Sequence, residues 1–152
     1  MHLPGPGPGV IATHDGYEPA FGVVHQRRLV LEADGRRLIG EDRLIVTHQG
    51  RAASDAYAVR FHLHPSVRAS RTPDGAAVYL DLPDGRTWTF RAGGLPTVLE
   101  ESIFFATPDG ARATEQIVVT GAFREQGVVS WSFEREDAGR PDEDSDAPSQ
   151  QD

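Results

Sequence analysis

Chemistry in this 152-residue chain must come chiefly from its six histidines, its arginines and its carboxylates. His62 and His64 stand two apart in Tyr57-Ala-Val-Arg-Phe-His-Leu-His64, a run that alternates apolar and polar residues. On a β-strand that spacing puts both rings on one face, about 7 Å apart at the Cα level. Two imidazoles so placed can chelate one metal ion, with a carboxylate such as Asp15 as a third ligand. His14, beside Asp15, and His25 widen the candidate ligand set to His14, Asp15, His25, His62 and His64. The competing reading is a solvated strand face, or a strand end just before Pro65. Arg60 falls on the same side as His62 and His64, where a guanidinium can grip a sugar carboxylate in a two-pronged contact. Against that stands an ordinary ion-paired outer face. Trp88 and Trp131 suit either sugar stacking or the core, where aromatic residues at period-two positions more often lie.

Composition closes other routes. All fifteen basic residues are Arg, and the chain has no Lys, Asn or Cys. A phosphate-cradling P-loop and a Schiff base both need Lys, and N-glycosylation needs Asn. Without Cys there is no disulfide, thiolate nucleophile, iron–sulfur cluster or Cys-based zinc site. Neither His-Glu-x-x-His nor Gly-x-Ser-x-Gly occurs. Glu100 and Glu101 are adjacent on an expected strand, so they point to opposite faces and cannot pair as a glycosidase dyad. No apolar run approaches the roughly 18–20 residues that cross a bilayer. The opening MHLPGPGPG lacks the basic start and apolar stretch of a secretory signal, so a membrane partner is not expected. A net charge of −8 disfavours nucleic acid. That charge is uneven: residues 134–152 hold eight acids and two Arg, and the rest hold fifteen acids and thirteen Arg. The body is therefore close to neutral and remains open to an anionic sugar.

The elements that must carry these residues follow a period of two. Runs rich in β-branched and aromatic residues occur at 26–31, 42–47, 57–64, 76–82, 86–92, 98–106, 115–120 and 127–133. Asp-Gly pairs at 15–16, 34–35, 74–75, 84–85 and 109–110 supply turns, three of them preceded by Pro. The clearest hairpin joins Val78–Leu82 to Arg86–Phe90 through Pro83-Asp84-Gly85. No amphipathic helix of a dozen residues can be drawn. The expected fold is all-β, an antiparallel β-sandwich. Residues 1–11, Pro/Gly-rich, are expected to be a flexible leader, 12–134 the domain, and 135–152 a disordered acidic tail.

Seven segments in order then resemble one family: Thr13–Tyr17, Phe21–Leu29, Gly40–Leu44, Val59–Pro65, Arg86–Ala92, Leu99–Ser102 and Glu115–Val119. Together, over about residues 12–121, they are similar to the C-terminal β-rich domain of bacterial heparinase II/III-like proteins. The resemblance implies a parent with an N-terminal α/α toroid and a polysaccharide lyase activity on uronic-acid-containing glycans. The implied chemistry is β-elimination, with Tyr and His as proton carriers. It also implies a structural Zn²⁺ held in some members by His and Asp. On this resemblance His25 and His62 are candidate proton carriers, Arg60 and His64 substrate contacts, and His14, Asp15, His25, His62 and His64 metal ligands. The partners expected are an acidic polysaccharide and the toroid, which this chain lacks. Alone, the chain is expected to be inactive. The alternative is a non-catalytic carbohydrate-binding or structural assembly module. The cytoplasm, the periplasm and the cell envelope of a bacterium all remain open as its location.

Overall fold

Four of the five Asp-Gly pairs reverse the chain between neighbouring strands. Gly35, Gly75, Gly85 and Gly110 each adopt a left-handed backbone, with φ between 69° and 95°, which costs glycine nothing. In three of these turns the Asp carboxylate accepts the backbone N–H two residues on: Asp34 from Arg36 and Asp84 from Arg86 at 2.9 Å, and Asp74 from Ala76 at 3.0 Å. The fifth pair, Asp15-Gly16, leads into a single helical turn.

The computed structural model describes residues 6–50 and 53–137. Its elements are β1 (Pro6–His14), α1 (Glu18–Phe21), β2 (Val23–Glu32), β3 (Arg37–Val46), β4 (Ala56–His62) and β5 (Arg68–Arg71), followed by β6 (Ala77–Asp81), β7 (Thr87–Ala92), β8 (Thr97–Thr107), β9 (Gly110–Ala122) and β10 (Val128–Arg135). One sheet has seven strands in the order β1-β2-β3-β10-β7-β6-β5; the other has three, β4-β9-β8. All pairs are antiparallel. The expected all-β sandwich is what forms.

The sheets meet over Val78, Leu80, Phe90, Val129 and Trp131 from the larger and Ile117 and Val119 from the smaller. Phe61 of β4 bridges them, its ring 5.0 Å from that of Phe90 and 4.8 Å from that of Trp131. As its alternation requires, β4 turns Tyr57, Val59 and Phe61 inward and leaves Ala58, Arg60 and His62 exposed.

Three features depart from the sequence reading. The leader expected to run loose to residue 11 joins the larger sheet at Pro6 and pairs with β2, with an irregularity between Pro6 and Gly9. Proline is tolerated there because β1 is an edge strand, where a missing N–H costs no ladder bond. The short strand β5 carries too little apolar patterning to announce itself. At the other end β10 runs to Arg135, and the backbone N–H of Glu136 still bonds to Thr87 O at 2.9 Å. The rest of the expected tail, 138–152, lies outside the described residues.

Seven strands cannot be covered by three. Residues 8–14 of β1 are exposed on both faces, so the inner face of the larger sheet continues past its cover as an open shelf.

Candidate functional site

The shelf and the sandwich meet at a row fixed by register. Ala12 of β1 pairs with Arg27 of β2, Arg27 with Asp42 of β3, and Asp42 with Val129 of β10. One step along, His14 pairs with His25 and His25 with Leu44; on the other side Leu29 pairs with Gly40 and Gly40 with Trp131. Directly paired residues share a face. His14, His25, Arg27, Asp42 and Trp131 therefore all look inward.

Asp42 is the node. Its side chain is 2% exposed and takes N–H donors on both oxygens. Oδ1 accepts from His25 Nε2 at 2.6 Å and from Arg27 Nε at 2.7 Å. Oδ2 accepts from Arg27 Nη2 at 3.1 Å and from Trp131 Nε1 at 2.7 Å. Burial pushes the carboxyl's pKa up, but the hydrogen bonds from Arg27, Trp131 and His25 and the charge of Arg27 outweigh it, so it lies below the usual 3.8. The charged carboxylate can only accept. His25 therefore carries its proton on Nε2 when neutral and presents a bare lone pair at Nδ1. The Arg27 guanidinium carbon also sits 5.6 Å from the ring centroids of both Phe61 and Trp131, a cation–π arrangement that suits Arg.

Beside the node is a cavity of about 260 Å³, lined by Tyr17, Phe21, Val23, His25, Tyr57 and Val59 among others. Tyr57 Oη donates to Gln126 O at 2.8 Å. Its pKa is raised, first by burial and then by the negative charge of Asp42, so the hydroxyl keeps its proton. Both polar aromatics of the site lie over a glycine on the next strand. Tyr57 pairs with Gly121 and Trp131 with Gly40, and a Cβ at either glycine would collide with the ring opposite.

The sequence's candidates fall in separate places. His25 is in the node. His14 faces it across β1 and β2, exposed, with its ring edge-on to Tyr17 at 5.4 Å. Asp15 sits in the turn, where its carbonyl accepts the Glu18 N–H at 2.9 Å. Arg60 and His62 occupy the outer face of the smaller sheet, and His62 Nδ1 lies 3.1 Å from Ser102 Oγ. The strand ends at His62, so His64 stands in the following loop rather than beside it on one strand face. There its Nδ1 accepts the Ser66 N–H at 3.1 Å, and its ring packs edge-on against Phe104. Among the described residues no three His, Asp or Glu gather closely enough to hold a metal ion. Nor does the donor set at Asp42 suit a Zn²⁺: its four lone-pair sites already hold four N–H groups, one pair from a cation.

Asp42 and Tyr57 were not singled out as site residues by the sequence. The available signal was parity alone: Leu38, Gly40, Asp42 and Leu44 share one side of β3. It was masked because Ile39 and Ile45 make the opposite side look equally apolar, although both are exposed.

Comparison with known proteins places this geometry. Residues 5–132 match the model of the family described as heparinase II/III-like, C-terminal. The chain belongs to that family. Its fold is similar to heparan sulfate lyase HepC from Pedobacter heparinus, with a TM-score of 0.68 at 15% identity over 87% of this chain and 20% of that one. It is also similar to a heparinase III gene product, with a TM-score of 0.62 at 10% identity over 84% of this chain and 19% of that one. In sequence it is 34% identical over 129 residues to FtsZ-localized protein C of Caulobacter vibrioides, covering 80% of this chain and 22% of the relative. The chain thus spans about a fifth of the length of these relatives.

Proposed function

We propose that this chain is the C-terminal sandwich of a heparinase II/III-type protein whose chemistry, in the longer parent, is β-elimination on a uronic-acid-containing glycan. The observation that carries the reading is the His25–Asp42 pair. A buried carboxylate holds the imidazole through Nε2, which leaves Nδ1 outside that bond, and His25 lines the cavity beside Asp42. Such a nitrogen can remove the proton α to a uronate carboxyl, and the protonated hydroxyl of Tyr57 lines the same cavity. A complete β-elimination also needs a group that neutralises the carboxylate and a wall opposite the shelf. Arg60, His62 and His64 lie on or beside the outer face of the smaller sheet, so they suit glycan contact along that surface but do not share one reacting centre with His25. The sandwich is accordingly a supporting half and does not turn over polymer by itself.

The test supplies the chain, alone and fused to a heparinase-type toroid, with heparan sulfate and other uronic-acid polymers. Ultraviolet absorbance reports the unsaturated uronide product. The isolated chain is expected to give none, and the fused protein to give product at a rate that His25→Ala lowers about 100-fold or more. Product from the isolated chain, or an unchanged rate in the variant, would overturn the reading.

A second reading, a non-catalytic assembly or carbohydrate-binding module, is favoured by one observation. The 34%-identical relative is named for its localization with FtsZ, while the lyase structures are similar at 16% identity or less. Glycan retention without product from the fused protein would select it.

A further inference from the structure

The His25–Asp42 pair belongs to a donor set that in other proteins recruits a divalent ion: one imidazole and one carboxylate on adjacent strands of a rigid sheet. Here a third side chain reaches the same carboxylate. We infer that the Arg27 guanidinium takes the position a metal ion would fill, so that this sandwich is closed at Asp42 by a covalently attached cation and needs no metal.

Three observations carry this. Arg27 binds Asp42 with both prongs, Nε on Oδ1 and Nη2 on Oδ2, the fork geometry that matches a carboxylate. The two remaining lone-pair sites are filled by His25 and by the indole N–H of Trp131, whose own side chain is buried in the core and cannot withdraw without opening it. A metal ion at either oxygen must therefore displace an N–H donor. Charge points the same way. Asp42 and Arg27 neutralise each other, and a dication beside the guanidinium would add two positive charges to a poorly solvated site. The guanidinium carbon also lies 5.6 Å from the centroids of both the Phe61 and Trp131 rings, a contact that a hydrated metal ion could not exploit in the same way. His25 is also fixed by this set: its Nε2 is spent on Asp42, and although His14 pairs with it across β1 and β2, no three His, Asp or Glu among the described residues form a group that could hold a metal ion.

The experiment is thermal unfolding of the full chain with and without a chelator, and with added Zn²⁺, alongside metal analysis of protein purified without chelator. The unmodified chain is expected to contain well under 0.1 zinc per chain and to unfold at one temperature, within 1 °C, in all three conditions, using about 1 °C as the resolution of the assay. Arg27→Met removes the cation and is expected to lower the unfolding midpoint by on the order of 10 °C. Arg27→His replaces the fork by a third ligand of metal-binding type. It is expected to gain a Zn²⁺-dependent rise of several degrees that the unmodified chain lacks. Stoichiometric zinc in the unmodified chain, or a midpoint that falls with chelator, would overturn the inference whatever the variants do. So would an Arg27→Met chain as stable as the original. If Arg27→Met fails to fold, the chelator and zinc arms on the unmodified chain decide alone. None of these readouts depends on glycan activity, so they stand or fall apart from the lyase reading.

Discussion

Replacing Asp42 by Asn changes almost no volume and so isolates the electrostatics of the node. An Asn can keep one oxygen facing His25 Nε2 and Arg27 Nε, but its amide nitrogen then meets Arg27 Nη2 and Trp131 Nε1, donor against donor. Two N–H groups lose their acceptor and the guanidinium loses its counter-charge. Unsatisfied buried donors cost about 1–3 kcal/mol each, and breaking one side of a buried ion pair costs about 3–5 kcal/mol. Arg27 and His25 retain 34% and 27% exposure, so water recovers part of the loss and the lower end applies, about 3 kcal/mol. For a domain of about 130 residues the unfolding entropy makes that a fall of roughly 10 °C in midpoint. Circular dichroism on heating measures it, with Trp131 fluorescence reporting the loosened indole. Glu101→Gln, at an exposed position, serves as control and is expected to move the midpoint by less than about 2 °C. A fall of under about 3 °C for Asp42→Asn, about 1 kcal/mol or less, would refute the idea that this carboxylate organises the site.

Acid should find the same group. The folded pKa of Asp42 is depressed below 3.8, so its contribution is fully present above the unfolded value near 3.9 and is lost as pH falls through the folded value. Denaturant unfolding between pH 7 and 2 should show that loss below about pH 4, and Asp42→Asn should flatten it. Gly40→Ala drives a Cβ into the Trp131 ring and is expected to cost about 1–3 kcal/mol. Gly93→Ala, which meets only Ser130 O at 3.7 Å, should stay within about 0.5 kcal/mol in the same urea titration. Gly85→Ala has open space around it but sits at φ +85°; backbone strain alone should cost it about 1–2 kcal/mol.

The sequence announced the fold through features that act locally. Asp-Gly turns need a left-handed glycine, and the alternation of Tyr57, Val59 and Phe61 needs a buried face; both signals survive in a single chain without knowledge of partners. The site was less legible because its parts become neighbours only through register. Arg27, Asp42 and Trp131 are separated by 15 and 89 positions and meet because β2, β3 and β10 lie side by side. A polar Asp between Glu41 and Arg43 reads as surface until β2 and β10 are known to flank it and to bring His25, Arg27 and Trp131 to its carboxylate. The His62 and His64 pair was misleading for the opposite reason: its spacing fits a strand face, but the strand stops at His62, and no local residue marks that end more strongly than Pro65.

Asp42 fixes His25 with Nε2 spent and Nδ1 open. Long-range ¹H–¹⁵N correlation spectra of the neutral His25 ring test this directly. The predicted result is a proton on Nε2 and an unprotonated Nδ1, with the pattern lost in Asp42→Asn. A proton resident on Nδ1, or freely exchanging tautomers in the unmodified chain, would contradict it.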